Sequence, residues 1–137
     1  MKATDLKIGD WVEYFGPVQI AELNMFLWSG WAEDHNFITN IDYKDTKPIP
    51  LVKDILLKNG FREYSTDKYC NGTILLHYYH LGNSWEVFIP CPSETDNDNL
   101  AYISCIKYVH ELQHILWVFK VEDSIKNLEC TDIIFED

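Results

Sequence analysis

The chain has 137 residues, of which 47% are apolar and 15% aromatic, a length and composition that predict a folded globular protein rather than a disordered chain. Eleven basic and 22 acidic residues give a formal net charge of −11, which argues against direct binding to nucleic acid. No apolar run has the length of a signal peptide or a membrane span, so we expect a cytoplasmic protein without membrane contact.

The first 47 residues predict a small antiparallel sheet or an SH3-like barrel. The predicted strands are 11–15 and 18–23, with chain reversals at 16–17 and 28–31. Alternation in the first strand places Trp11 and Glu13 on one face and Val12 and Tyr14 on the other. A polar connector with prolines follows, so we expect a β subdomain at 1–47 and an α+β subdomain at 48–137, or one continuous domain.

The rest of the chain predicts a helix, an antiparallel meander and a second helix. The predicted elements are a helix at 51–59, strands at 63–69, 73–80 and 84–89, an acidic loop at 90–99, a strand at 100–105, a helix at 106–119, a short helix at 123–128 and a strand at 132–135. Gly60 is placed to end the first helix in a left-handed conformation, and Asn-Gly and Gly-Asn pairs mark the hairpins. The predicted class is therefore α+β, with an amphipathic C-terminal helix packed on the sheet.

The four cysteines do not indicate a disulfide framework. They are Cys70, Cys91, Cys105 and Cys130. Their spacing is wide and irregular, without a Cys-x-x-Cys pair or a secretory context. We expect reduced thiols that are mostly buried.

The last long helix contains His110-Glu111-Leu112-Gln113-His114, an H-E-x-x-H sequence. Two histidines at i and i+4 lie on one helix face and can bind one zinc ion, while the glutamate serves as general base. The same helix carries an apolar face that predicts packing on the sheet. That face consists of Cys105, Tyr108, Val109, Leu112, Ile115, Leu116 and Phe119. His110 and His114 lie off this face, so they line a zinc cleft or face solvent.

A catalytic zinc ion requires a third protein ligand, which the sequence does not identify. Trp117 and Lys120 stand where the extended motif would have its glycine and third histidine. The other candidates are His77, His80, Glu122 and Glu129, none at a distinctive spacing. We therefore expect no metal or cofactor, and a small zinc hydrolase is the alternative.

Three blocks of sequence stand in order along residues 1 to 120. They are Met-Lys-Ala-Thr-Asp-Leu-Lys-Ile-Gly-Asp at 1–10, Pro-Ile-Pro-Leu at 48–51 with Leu-Leu-Lys-Asn-Gly-Phe at 56–61, and Ile-Lys-Tyr-Val-His-Glu-Leu-Gln at 106–113. Together they resemble a family of small uncharacterised proteins of Bacteroides-type gut bacteria and their phages and mobile elements. The resemblance implies no particular activity. The family's late helix reads Tyr-Val-His-Gln-Leu-Gln-Asn, so His110 matches it, whereas Glu111 and His114 depart from it.

These observations favour a non-enzymatic module that works by protein contacts. Trp11, Trp28 and Trp31 are the candidate contact surface, since exposed tryptophans often anchor interfaces, although core packing is the commoner use of such side chains. The acidic composition favours a basic protein partner. Mimicry of DNA charge is a third hypothesis.

Overall fold

The computed structural model of the chain describes residues 1–24, 27–89 and 100–119. It confirms the α+β class, with two antiparallel sheets of five strands each and two α-helices. The elements are β1 (Trp11–Glu13), β2 (Pro17–Glu22), β3 (Leu27–Ala32), β4 (Phe37–Asp42), β5 (Lys47–Pro48), α1 (Lys53–Lys58), β6 (Arg62–Ser65), β7 (Lys68–Cys70), β8 (Leu75–Tyr79), β9 (Ser84–Ile89), β10 (Ala101–Ile106) and α2 (Val109–Val118). Neither helix of this described part is long and apolar enough to cross a membrane.

The described residues divide into two compact units. The first contains Met1–Pro50 and Tyr108–His114, and the second contains Leu51–Lys107 and residues 115–119. Each unit contains one of the two sheets. The sequence predicts subdomains of 1–47 and 48–137, whereas the first unit also includes the beginning of α2.

The first unit contains an open sheet with the strand order β4-β3-β2-β1-β5. A tight turn joins β1 to β2, where Phe15 and Gly16 both have positive φ angles, of 51° and 122°. The Glu13 carboxylate accepts a hydrogen bond of 2.8 Å from the Gly16 N–H, which fixes this turn. The open sheet, with β4 and β5 at its edges, is the first of the two predicted alternatives.

Alternation along the strands of the first unit creates its core. The buried cluster consists of Leu6, Val12, Val18, Ile20, Trp28 and Ile41. Tyr14 packs against this cluster, while Trp11 pairs with Gln19 of β2 on the opposite face. The alternation predicted for β1 is therefore confirmed.

The predicted reversal at residues 28–31 is wrong, because this segment lies inside β3. Asn24 accepts hydrogen bonds before the strand, from the Leu27 N–H at 2.6 Å and the Trp28 indole N–H at 3.1 Å. Gly30 serves close packing instead of a turn, since a Cβ atom there would stand 2.4 Å from the Gln19 carbonyl oxygen.

The second unit contains the sheet β10-β9-β8-β7-β6 and helix α1. The predicted end of α1 is confirmed: Gly60 has a φ angle of 89°, and the Phe61 N–H donates to the Leu56 carbonyl at 3.0 Å. This 6→1 hydrogen bond is the mark of a Schellman motif. Phe61 is buried, so the chain packs back on the helix as the sequence predicts.

The meander is confirmed with one correction. The predicted strand at 63–69 is two strands, β6 and β7, because the chain turns where Asp67 adopts a φ angle of 61°. At the next turn, the Asn71 side chain accepts from the Thr73 and Ile74 N–H groups at 2.8 and 2.9 Å. The predicted loop at 90–99 and the elements beyond residue 119 lie outside the described residues.

Two of the four cysteines lie in the described residues, and neither of them forms a disulfide bond there. Cys70 is buried, as predicted, whereas Cys105 is exposed on β10. Cys91 and Cys130 lie outside the described residues.

The close approach at Gly30 generates a stability prediction. We expect Gly30→Ala to lower the free energy of unfolding by about 1–3 kcal/mol, because the new methyl group meets backbone that cannot move without disturbing the β2–β3 pairing. Gly82→Ala is the control, since its Cβ atom would meet side-chain atoms of Ser84 and Tyr79 at 3.2 Å. Urea unfolding measures both changes, and an equal or larger loss for Gly82→Ala would contradict the prediction.

Candidate functional site

The turn before β1 is built around a buried carboxylate. Asp10 is fully buried, and its Oδ2 atom accepts a hydrogen bond of 2.9 Å from the Lys7 N–H. The Lys7 ammonium lies 3.6 Å from Oδ1. Gly9 adopts a φ angle of 98° and donates its N–H to the Ile20 carbonyl at 2.8 Å, so the turn is fixed at the entry to the strand.

Helix α2 begins with a capping interaction that uses the glutamate of the H-E-x-x-H sequence. The Glu111 carboxylate accepts a hydrogen bond of 3.1 Å from the Tyr108 N–H, which is the relation between the third helical residue and the N-cap in a capping box. The Val109 N–H donates to the Ile49 carbonyl at 2.8 Å. The helix therefore begins at Val109 rather than at 106, which is the last residue of β10.

One turn further along α2, Gln113 binds the backbone on both sides of Asp10. Its Oε1 atom accepts from the Trp11 N–H at 2.9 Å, and its Nε2 atom donates to the Gly9 carbonyl, also at 2.9 Å. Gln19 of β2 donates to the same carbonyl at 3.0 Å. The amide of Gln113 thus satisfies backbone groups that the sheet leaves unpaired at the start of β1.

His114 binds the buried carboxylate itself. Its Nε2 atom lies 2.6 Å from Asp10 Oδ2, while its side chain is 37% exposed. Burial of a carboxylate is costly unless charges and donors compensate it, and His114 supplies a second compensating group beside Lys7. We call this arrangement the Asp10 clamp: Gln113 and His114 on α2, holding Gly9, Asp10 and Trp11.

His110 is buried, although the helix pattern places it off the apolar face. Its ring stacks on Tyr108 with centroids 6.0 Å apart and meets the ring of His114 edge-on at 5.7 Å. Its Nδ1 atom finds no hydrogen-bond partner among the described residues. Burial lowers the pKa of His110, and this effect outweighs the opposite influence of the nearby Glu111 and Asp10 carboxylates.

The candidate zinc residues have protein contacts of their own. Glu111 holds the helix N-terminus, His114 holds Asp10, and His110 is buried. Within residues 1–24, 27–89 and 100–119, no group of three or more His, Cys, Asp or Glu side chains is placed to hold a metal ion. Glu122 and Glu129 lie outside these ranges, while His77 and His80 each lie beside a carboxylate in the second unit.

The three tryptophans offered as a contact surface have different environments. Trp28 belongs to the core cluster and Trp11 is buried, so neither side chain forms an exposed surface, and that part of the prediction is corrected. Trp31 is 48% exposed. It pairs across the strands with Phe37 of β4, which is also exposed, and the two ring centroids lie 4.7 Å apart.

Sequence reasoning missed Asp10, Gln113 and Phe37. The first two lie in the first and third blocks of the family resemblance. Phe37 carried no signal, because its exposure depends on the position of β4 at the edge of the sheet.

No family model, curated protein or solved structure matches this chain. Its function is therefore argued from its own residues. Membership of the Bacteroides-type family stays a prediction.

The Asp10 clamp predicts that substitution of Gln113 strongly lowers the free energy of unfolding. We expect Gln113→Met to lower the free energy of unfolding by about 1–3 kcal/mol, because it removes the acceptor that Gln113 gives the Trp11 N–H and one of the two side-chain donors to the Gly9 carbonyl, while keeping side-chain length and helix propensity. Gln19→Met is the matched control, since it removes one hydrogen bond to the same Gly9 carbonyl. Urea unfolding of both variants tests this, and a smaller loss for Gln113→Met than for Gln19→Met would count against the clamp.

The lowered pKa of His110 predicts a pH dependence of stability. The unfolded chain binds this proton more readily than the folded one, so the stability from neutral His110 is present above its ordinary pKa of 6.5 and is lost as pH falls below that value. We expect wild type to lose more free energy of unfolding than His110→Gln on going from about pH 7.5 to about pH 5.5. His114 and Asp10 are present in both proteins. Parallel pH profiles would contradict the prediction.

Proposed function

We propose that this chain is a non-enzymatic cytoplasmic protein of phage or mobile-element origin that acts as a protein–protein interaction module. The observation that carries the proposal is the exposed pair of Trp31 and Phe37 on β3 and β4. Large aromatic side chains in water are costly, and tryptophan is enriched among residues that dominate binding energy at interfaces. The resemblance of the three sequence blocks supports the proposed origin.

The contacts of the H-E-x-x-H residues also support a non-enzymatic role. Glu111 stabilises the start of α2, and His114 compensates a buried carboxylate. These structural roles account for two polar residues that the zinc hypothesis would otherwise explain. The aromatic pair is one of several exposed apolar features among the described residues, and its two rings are in contact with each other across neighbouring strands.

The zinc hydrolase stays the alternative, with His110 and His114 as ligands and Glu111 as base. The edge-on approach of the two histidine rings at 5.7 Å favours it, whereas the 2.6 Å contact of His114 with Asp10 opposes it. Stoichiometric zinc in protein purified without added metal, and its loss in His114→Ala, would support the hydrolase.

The aromatic pair predicts which substitutions abolish partner binding. We expect Trp31→Ala combined with Phe37→Ala to weaken binding of a partner by at least about tenfold, which is the range of interface hot spots. Trp117→Ala is the matched control, because Trp117 is an exposed tryptophan of α2. A partner is first captured by crosslinking from cells that produce the protein, then purified and measured against the three proteins by calorimetry.

The substituted side chains are exposed, so we expect the variants to keep the fold. Circular dichroism and urea unfolding verify this. Equal binding by wild type and the double variant would remove the aromatic pair from the contact surface. Failure to capture any partner that binds again in purified form would oppose the interaction module as a whole.

A further inference from the structure

The aromatic pair lies at an edge of the first unit's sheet. β4 is paired with β3 on one side and, within the described part of the chain, has no strand on its other side. Phe37, Thr39 and Asn40 of β4 are all exposed. Exposed edge strands are the sites at which sheets accept an additional strand.

The hydrogen-bond pattern shows which backbone groups of β4 are directed away from β3. The Ala32 N–H donates to the Asn36 carbonyl at 2.9 Å, and the Ala32 carbonyl accepts from the His35 N–H at 3.0 Å, so the backbone groups of Ala32 are used at the hairpin end, on the hydrogen-bonded side of the strands. Hydrogen-bonded and non-hydrogen-bonded pairs alternate in antiparallel strands, so Trp31 and Phe37 form the second kind. The N–H and C=O groups of Phe37 therefore point towards the edge, beside the exposed aromatic rings.

Carboxylates lie in the loop that connects the strands of Trp31 and Phe37. The loop between β3 and β4 carries Glu33 and Asp34, both exposed. Asp34 accepts hydrogen bonds from the Asn36 backbone and side chain, at 3.1 and 2.7 Å, which anchor its carboxylate at the loop. A cationic side chain over Trp31 would combine attraction to the ring face with attraction to this acidic loop.

We propose that β4 binds an extended basic segment of a partner protein. The segment adds to the sheet as a further strand, forms hydrogen bonds with the Phe37 backbone and places an arginine or lysine side chain over Trp31, next to the carboxylates of Glu33 and Asp34. This proposal rests on the proposed interaction function and names the partner chemistry that the edge fits.

Charge selects a basic partner over a second copy of this chain. Two copies pairing antiparallel through β4 would bring the acidic loop of each against the far end of the other strand. That end carries Asp42 and Asp45 beside Lys44, so it is net negative. Each chain also carries a formal charge of −11, and like-charge juxtaposition disfavours such pairing. The same charge disfavours nucleic acid on this edge.

Peptide binding tests the proposal directly. The probe is a short labelled peptide in which arginine and valine alternate, compared with the same peptide carrying glutamate for arginine and with one whose alternate backbone nitrogens are methylated. We expect the arginine peptide to bind wild type more tightly by at least about tenfold than either comparison peptide. Fluorescence anisotropy gives the affinities, and amide chemical shifts show whether Phe37 and Thr39 respond.

Variants of the protein distinguish specific docking of the arginine peptide on β4 from general electrostatic attraction to an acidic protein. We expect Trp31→Ala, and Glu33→Gln combined with Asp34→Asn, each to weaken the arginine peptide by at least about tenfold. Asp5→Asn combined with Glu63→Gln makes the same change in net charge at other exposed positions and should leave the affinity within about twofold. Equal losses for the two double variants would overturn the proposal, as would full binding by the methylated peptide.

Two further outcomes also decide the question. If no arginine peptide binds, but a captured partner still depends on Trp31 and Phe37, the basic segment is wrong and the interaction function stands. If sedimentation shows a dimer that Thr39→Pro disrupts, a second copy occupies the edge and the proposal fails.

Discussion

The buried carboxylate of Asp10 is the constraint on which the first unit depends. A charged group removed from water must be compensated by donors and opposite charges, or the fold pays several kcal/mol. Lys7 supplies a backbone N–H and an ammonium group, and His114 supplies a ring nitrogen 2.6 Å away. Gln113 binds the backbone of Gly9 and Trp11, the two neighbours of Asp10. The contacts that compensate the buried charge and the contacts that anchor β1 are therefore made at the same three residues.

This arrangement joins residues from three distant blocks of sequence. Gly9 and Trp11 in or beside the first block bind Gln113 in the third, and Ile49 in the second accepts the Val109 N–H at the start of the same helix. The blocks thus share contacts within the first unit.

Local patterns predicted most of the fold because they depend on neighbouring residues. Asn-Gly and Gly-Asn turns, the glycine that ends α1 and the strand after residue 100 are all set within a few positions along the chain. Two of the sequence predictions were wrong, each for a different physical reason. Gly30 looked like a turn residue, yet its role is close contact with Gln19 on another strand. The boundary between β6 and β7 depends on the left-handed conformation of Asp67, which residue type alone does not reveal.

The sequence located the helix residues His110, Glu111 and His114 of the candidate site, but not their partners or their roles. A glutamate at the third helical position stabilises a helix N-terminus, and a histidine one turn later can meet a carboxylate from another segment, so an H-E-x-x-H sequence near a helix start satisfies purely structural needs. Distinguishing those needs from zinc chemistry requires contacts between residues about a hundred positions apart, which no local pattern carries.

At the edge of the first unit's sheet, residue type did not distinguish a core residue from an exposed one. Trp31 has the same residue type as Trp28 three positions earlier, yet β3 directs Trp28 into the core and leaves Trp31 in water beside Phe37. Burial of Trp28 is part of folding, whereas the apolar surface of Trp31 and Phe37 gains its hydrophobic free energy only when something covers it. The fold therefore separates the aromatic residues that build the core from those that stay exposed, and the acidic loop joins the two strands that carry the exposed pair.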